Sequence, residues 1–345
     1  MATSDRKIQL RIRSIKGTQQ ITRAMKLVST AKLQKIRAIA QSNTPYFQAV
    51  YQTMCSILRL LTGDDVLNGP MLQSGKSAYL VITSDRGLAG GYNANVCKLL
   101  ERSMGSKEDA LILTVGRRGR EYFSRRGFTL GQHFETPAEV PEYSGVRQIQ
   151  DAVMDLYRSG TVKEIYVAYT SFQNTLSQTA TLMKLFPLQR EDFMGGEDEQ
   201  ESKHGTMPHV LMNFEPGPEA VLANIIPRYM GGILYGVLVE SSASEQGARM
   251  TAMDSATENA QDICDKLTLQ YNRARQGHIT QGDNGDIVNG ASRVGRLKTN
   301  RNGAEAPERR LRWPIQKLEK KSMASFSRLS GLYWILNLVQ TICLL

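Results

Sequence analysis

The sequence predicts an α/β fold in which two long helices, one from each end of the chain, lie antiparallel as a coiled coil, with a small domain built on a mostly parallel sheet inserted between them. Three observations predict it. Apolar residues recur three or four apart through the first forty residues, a similar repeat returns between Pro218 and Gln281, and short apolar runs alternate with helical patterns in between. Two long amphipathic helices flanking a compact domain can bury both stripes only against each other.

The first stripe is Ile8, Ile12, Ile15, Ile21, Met25, Val28, Ala31, Leu33, Ile36 and Ala40. Between these positions stand Arg11, Arg13, Lys16, Arg23, Lys26, Lys32 and Lys35, with Asp5 the one acid, so the outward faces are basic. The pattern continues past Pro45, where a kink or restart is expected, to a helix end near residue 62. At about 1.5 Å per residue such a helix reaches roughly 80 Å, longer than a domain of this size is wide.

Residues 75–195 read as the inserted α/β domain. A buried strand over Ser77–Thr83 leads into the glycine loop Ser84–Asn93 and a helix from Ala94 to about Met104. Ala110–Val115 is a second strand, Arg117–Arg126 a basic helix, and Gly127–Leu130 the start of a third strand. Gln148–Ser159 is helical, Glu164–Tyr169 a strong strand, and an apolar run over Thr179–Phe186 follows. Residues 196–217 form an exposed acidic loop. In the helix over residues 218–281 the stripe is Met250, Met253, Thr257, Ala260, Ile263 or Cys264, Leu267, Gln270 or Tyr271, and Ala274. Residues 282–345 are a divergent basic tail ending in a short apolar run, expected to be disordered or the product of a shifted reading frame; Gly282 and Gly285 should interrupt the helix.

The formal net charge of +10 over 345 residues, concentrated at the two ends, points to acidic partner surfaces, nucleic acid or anionic lipid without choosing among them. Catalysis is not expected. His133, His204, His209 and His278 are isolated, and Cys55, Cys97, Cys264 and Cys343 show no metal-ligand spacing, so no metal and no cofactor is assigned. The strand, glycine loop and helix could in principle cradle a phosphate, but the spacing matches neither dinucleotide nor P-loop patterns. A tight turn with Asp85 and Arg86 on its rim is the preferred reading. No leader precedes the first helix, which suits a cytoplasmic protein.

Four segments, in order, carry a family resemblance: Ile12–Val28 with Ala31–Leu33, Thr83–Asn93, Ser244–Met253 with Ala256–Ala260, and Tyr271–Gln281. The chain resembles the gamma subunit of the F-type ATP synthase over about residues 4–292. The resemblance implies a Rossmann-like inserted domain and a non-catalytic rotor shaft. The shaft would stand inside a hexamer of alpha and beta subunits, its foot bound to the epsilon subunit and the c-ring at the cytoplasmic face of the bacterial plasma membrane. Proton flow would turn the ring and, through the shaft, drive the beta-subunit sites. It further implies beta-subunit contacts at Met25, Lys26, Arg275, Gln276 and Thr280, and a structural foot loop at Asp85, Arg86, Gly87, Gly90 and Gly91. No nucleic acid is expected. The alternatives are a basic coiled coil that binds nucleic acid or a scaffold, which would be retained on DNA in a steeply salt-dependent way, and an altered, non-functional copy of the gamma subunit.

Overall fold

The computed structural model describes residues 2–61, 75–134, 141–188, 193 and 214–291, with side chains from residue 5 to residue 277 within them. Among the described residues ten elements follow one another: α1 (Ala2–Leu60), β1 (Lys76–Ile82), α2 (Tyr92–Ser103), β2 (Ala110–Val115), α3 (Arg117–Ser124), β3 (Leu130–Phe134), α4 (Tyr143–Arg158), β4 (Val162–Phe172), β5 (Gln178–Phe186) and α5 (Pro218–Ala291). The fold is mixed α/β. Among the described residues two compact units are distinguished, one of Gln20–Glu258 and one of the residues before Gln20 together with those of α5 from Asn259 onward.

The sheet lies in the first of these units, in the order β3-β2-β1-β4-β5. β1 pairs in parallel with β2 and with β4, β2 pairs in parallel with β3, and only the edge strand β5 runs antiparallel, against β4. Both faces are covered, which explains why β1 reads as a continuous apolar run rather than an alternating one. On one face Ala78, Leu80, Ile82, Val167 and Tyr169 pack with Val146, Ile149 and Val153 of α4, with Ile36, Met54 and Ile57 of α1, and with Met230, Leu234 and Val237 of α5. On the other, Tyr79, Val81, Ile112 and Ala168 meet Val96, Cys97 and Leu100 of α2 and Phe123 of α3.

Helix α1 is continuous through Pro45, where a kink or restart is expected from the sequence. In the turn before the proline, Ser42 Oγ and Asn43 Nδ2 donate to the Ile39 carbonyl and Thr44 Oγ1 donates to the Ala40 carbonyl, so that turn stays hydrogen-bonded around the missing N–H. Helix α5 likewise runs on through Gly282 and Gly285 to Ala291 rather than stopping at Gln281. A helical glycine costs only about 1 kcal/mol relative to alanine, which a long helix can carry.

Nearly every residue from Tyr229 to Gly247 is buried, so this part of α5 has no solvent face. A window within Pro218–Gly277 is long and apolar enough to cross a membrane by length and composition alone, but 56% of it is already buried inside the protein, as in the core helix of a soluble domain. The acidic loop over residues 196–217 falls almost wholly outside the described residues, as do residues 292–345.

The β2–α3 junction depends on Gly116, which has φ +86° and whose added Cβ would stand 2.1 Å from the Thr83 carbonyl oxygen. The same Thr83 accepts the Gly119 N–H through Oγ1 at 2.8 Å and donates to the Val115 carbonyl at 3.0 Å. Gly116→Ala is therefore expected to destabilise the chain by about 3 kcal/mol or more, through strain and steric overlap together; urea unfolding of the purified chain measures it, and an unchanged midpoint would refute the steric argument.

Candidate functional site

Alternating three- and four-residue spacing is seen in the burial of both long helices. In the unit that begins the chain, Ile8, Ile12, Ile15 and Gln19 are the inward positions of α1, and Ala260, Cys264, Leu267, Tyr271 and Ala274 those of α5. Gln9 Nε2 donates to Tyr271 Oη at 2.7 Å and Gln19 Nε2 to Gln261 Oε1 at 2.8 Å, so within this unit one residue number rises as its partner's falls. Where the sequence leaves two options, the structure selects Cys264 over Ile263 and Tyr271 over Gln270.

In the other unit the inward positions of α1 are Thr22, Lys26, Ser29, Leu33, Ile36 and Ala40. Thr22 Oγ1 shares a 2.8 Å hydrogen bond with Thr257 Oγ1, and Lys26 Nζ meets Asp254 Oδ1 at 2.5 Å. This corrects the apolar stripe expected from the sequence. Ile21, Val28 and Ala31 are exposed, as is Leu27, while small or polar side chains take the inner line. Polar side chains satisfy one another there, which Ile21 and Val28 could not do.

The glycine loop joins β1 to α2. Asn93 folds back on it, its Oδ1 accepting the Ser84 N–H at 2.9 Å, while Ser84 Oγ donates to the Arg86 carbonyl at 2.7 Å. Asp85 Oδ1 accepts the Arg117 N–H at the start of α3 at 2.8 Å, where a helix N-terminus favours a carboxylate. Leu88 and Gly90 have φ +64° and +55°. A Cβ on Gly90 would reach within 3.8 Å of Ala252 on α5, and Gly91 precedes the first turn of α2, its carbonyl accepting from Asn95 N. The loop's polar groups are thus turned largely onto its own backbone and α3. A cleft of about 240 Å³ opens between it, β4 and α5, lined by Gly90, Tyr92, Asn95, Thr170, Gln178 and Thr251 among others, with no carboxylate, ammonium, guanidinium or imidazole in its wall.

Sequence reasoning missed the polar interior of α5. Glu240, Ser241, Ser244, Glu245, Gln246 and Arg249 are all buried. Glu245 Oε1 and Arg249 Nη2 form a buried ion pair at 2.6 Å. Tyr92 Oη bonds Ser241 Oγ at 2.7 Å, and burial beside Glu245 drives its phenol well above the ordinary range. Glu240 Oε1 accepts the Phe172 N–H at 2.8 Å with the Ser171 hydroxyl alongside, and burial pushes its carboxyl up to about 8. An acid next to serines within an otherwise apolar helical run was the signal available in the sequence.

Of the other singled-out residues, Met25 is half-buried, Arg275 and Gln276 are exposed, and Thr280 lies in α5 beyond the described side chains. Gly87 stands beside the Arg118 guanidinium, to which an added Cβ would come within 3.4 Å. Cys55, Cys97 and Cys264 are free thiols, and burial pushes Cys97 up to about 12; Cys343 lies outside the described residues. His133 Nδ1 is hydrogen-bonded to Thr114 Oγ1 at 2.9 Å. Among the described residues no group of His, Cys, Asp and Glu could hold a metal ion.

Comparison with known proteins agrees with this arrangement. The family model described as ATP synthase matches residues 4–294. The ATP synthase gamma chain of Lachnoclostridium phytofermentans is 46% identical over 294 residues, covering 84% of this chain and 99% of the relative. A gamma chain of Acetobacterium woodii described as sodium ion specific is 40% identical over 299 residues, with the same coverage. Among solved structures, a chain of the Euglena gracilis mitochondrial ATP synthase (OSCP/F1/c-ring) superposes with a TM-score of 0.57 at 16% identity, covering 87% of this chain and 99% of the other. A chain of the Tetrahymena thermophila central stalk and c-ring gives a TM-score of 0.52 at 22% identity, covering 68% and 99%. At those identities the structural likeness concerns the fold.

The Glu240 carboxyl yields a pH prediction. Its folded pKa is raised above the ordinary 4.5, to about 8, so between those values the folded chain holds a proton that the unfolded chain has released. The stabilisation is complete below the unfolded value and is lost as pH rises through the folded one, with a slope of at most about 1.4 kcal/mol per pH unit. Glu240→Gln should flatten the stability profile from pH 4.5 to pH 8; urea midpoints across that range measure it, and an unaltered slope would assign the pH dependence elsewhere.

Proposed function

Since the chain belongs to the ATP synthase gamma-chain family and is the rotor shaft of that machine, we propose that its long helices form the antiparallel coiled coil that turns inside the hexamer of alpha and beta subunits. The sheet domain is then the foot, held by the epsilon subunit and the c-ring. Ion-driven rotation of the ring turns the foot, and the asymmetric shaft forces the beta-subunit sites through successive conformations for ATP synthesis. The shaft itself is not catalytic.

The observation that carries this reading is the match along almost the full length of gamma-chain relatives. The antiparallel hydrogen bonds and the alternating burial on both helices support the coiled coil. Large apolar side chains left outside that seam support an enclosing partner: Ile21 is 62% and Leu27 66% exposed on α1, and Leu269 is 60% exposed on α5. Exposed cations at Arg11, Arg13, Lys16 and Arg23 suit acidic beta-subunit surfaces.

Met25 and Lys26 are assigned to the beta-subunit contact. The Lys26–Asp254 pair is partly exposed, so an approaching carboxylate would compete for the same ammonium. Arg275, Gln276 and Thr280 are assigned to the contact near the far end of the shaft. Asp85, Arg86, Gly87, Gly90 and Gly91 are assigned a structural role in the foot, supported by the loop's internal hydrogen bonds. The protein is peripheral, and we place it on the cytoplasmic face of the bacterial plasma membrane with no nucleic-acid partner.

Purification of the whole synthase tests this. The chain is expected to co-purify with alpha and beta subunits, and ATP is expected to drive one-way rotation of a bead attached to the sheet domain of an immobilised complex. Retention of the chain on DNA without alpha and beta subunits would overturn the reading in favour of the nucleic-acid alternative.

A further inference from the structure

One face of α5 carries Glu240, Ser244, Gly247 and Thr251, spaced four, three and four residues apart, and each meets the end of the β4–β5 hairpin. Glu240 Oε1 accepts the Phe172 N–H at 2.8 Å. Ser244 Oγ donates to the Thr170 carbonyl at 3.0 Å, and Thr251 Oγ1 shares its proton between the Thr175 carbonyl and the Gly247 carbonyl of its own helix, each at 3.1 Å. Gly247 lets the Phe172 ring lie against the helix backbone, since an added Cβ would stand 3.1 Å from Phe172 Cε2. The same ring is met by α1, whose Arg37 guanidinium lies 5.8 Å from its centroid. The adjoining ridge of α5 meets the glycine loop, through Ser241 to Tyr92 and through Ala252 opposite Gly90.

The three hydrogen bonds are directional, two of them buried and the one from Thr251 partly so, and they lie at the periphery of the helix. At a side-chain radius of about 5 Å, twisting α5 by about 20° about its axis moves the contacting atoms by about 1.7 Å. Hydrogen bonds tolerate far less displacement than that, so all three would break together. Hydrophobic packing alone is non-directional and resists such a twist less sharply.

Resting on the rotor reading above, we propose that the Glu240–Ser244–Gly247–Thr251 face of α5 and the β4–β5 hairpin form the torsion joint that passes torque between the foot and the shaft. Ser244 and Thr251 act as positioning residues. Their hydroxyls hold the helix in angular register with the sheet, and Phe172 is the wedge that the joint closes on.

The test uses the intact synthase, stalled by bound nucleotide, with a bead on the foot whose angular fluctuations report torsional stiffness. In the Ser244→Ala, Thr251→Val double variant, which removes two of the three hydrogen bonds at little change in shape, angular variance should rise about twofold. Thr251→Val alone should give an intermediate value, and Gln132→Ala on the exposed edge strand β3 should leave it unchanged. If the double variant does not assemble, the single Thr251→Val complex decides the matter. ATP-driven rotation with wild-type variance in these variants overturns the joint, whereas absence of rotation in the wild-type complex overturns the rotor reading itself.

Discussion

A helix that is buried on every side has no water for its polar groups to turn to, and the middle of α5 is such a helix. From Tyr229 to Val239 its side chains are almost all apolar or glycine, and the core closes over them. From Glu240 onward it stays buried while turning polar, and the cost of desolvating Glu240, Ser244, Glu245 and Arg249 has to be offset locally. Phe172 N, the Thr170 carbonyl and the Glu245–Arg249 pair do so. The sheet, the glycine loop and α1 are therefore all positioned by what this one stretch requires.

The same logic governs the proposed coiled coil. An apolar seam from end to end would bind two helices firmly but would fix their register weakly, because leucine and isoleucine contacts are nearly interchangeable. Gln9–Tyr271 and Gln19–Gln261 in one unit, and Thr22–Thr257 and Lys26–Asp254 in the other, are specific pairings that a shifted register would leave unmet. The polar inner line also frees Ile21, Leu27 and Val28 to face outward. In a protein that works alone this would be a liability; in the proposed shaft, enclosed by partner subunits, it would be contact surface.

Much of this was legible in the residues. Both long helices, the alternation of strands and helices, the compact glycine loop and the family itself were read from periodicity and from four matched segments. The continuity of α1 was not, because Pro45 argues locally for a break and only the side chains of Ser42, Asn43 and Thr44 show how the turn is held. Nor was the role of Glu240 and Thr251, since each looks like an ordinary polar helix residue until β4 is placed beside it.

By itself the sequence placed the two long helices, the strands now seen as β1, β2 and β4 and the helices between them, and showed that the two ends of the chain each carry a stripe needing a partner; the antiparallel strand β5 and the start of β3 at Leu130 came from the structure. The sequence could not decide the angle at which each stripe is presented. A periodic pattern limits the buried face to an arc about 100° wide, within which neighbouring positions such as Cys264 and Ile263, or Ser29 and Val28, compete. The tertiary structure decided between them, because backbone approach and hydrogen-bond partners on the opposing surface, not the hydrophobicity of a residue taken alone, set the free energy of turning it inward.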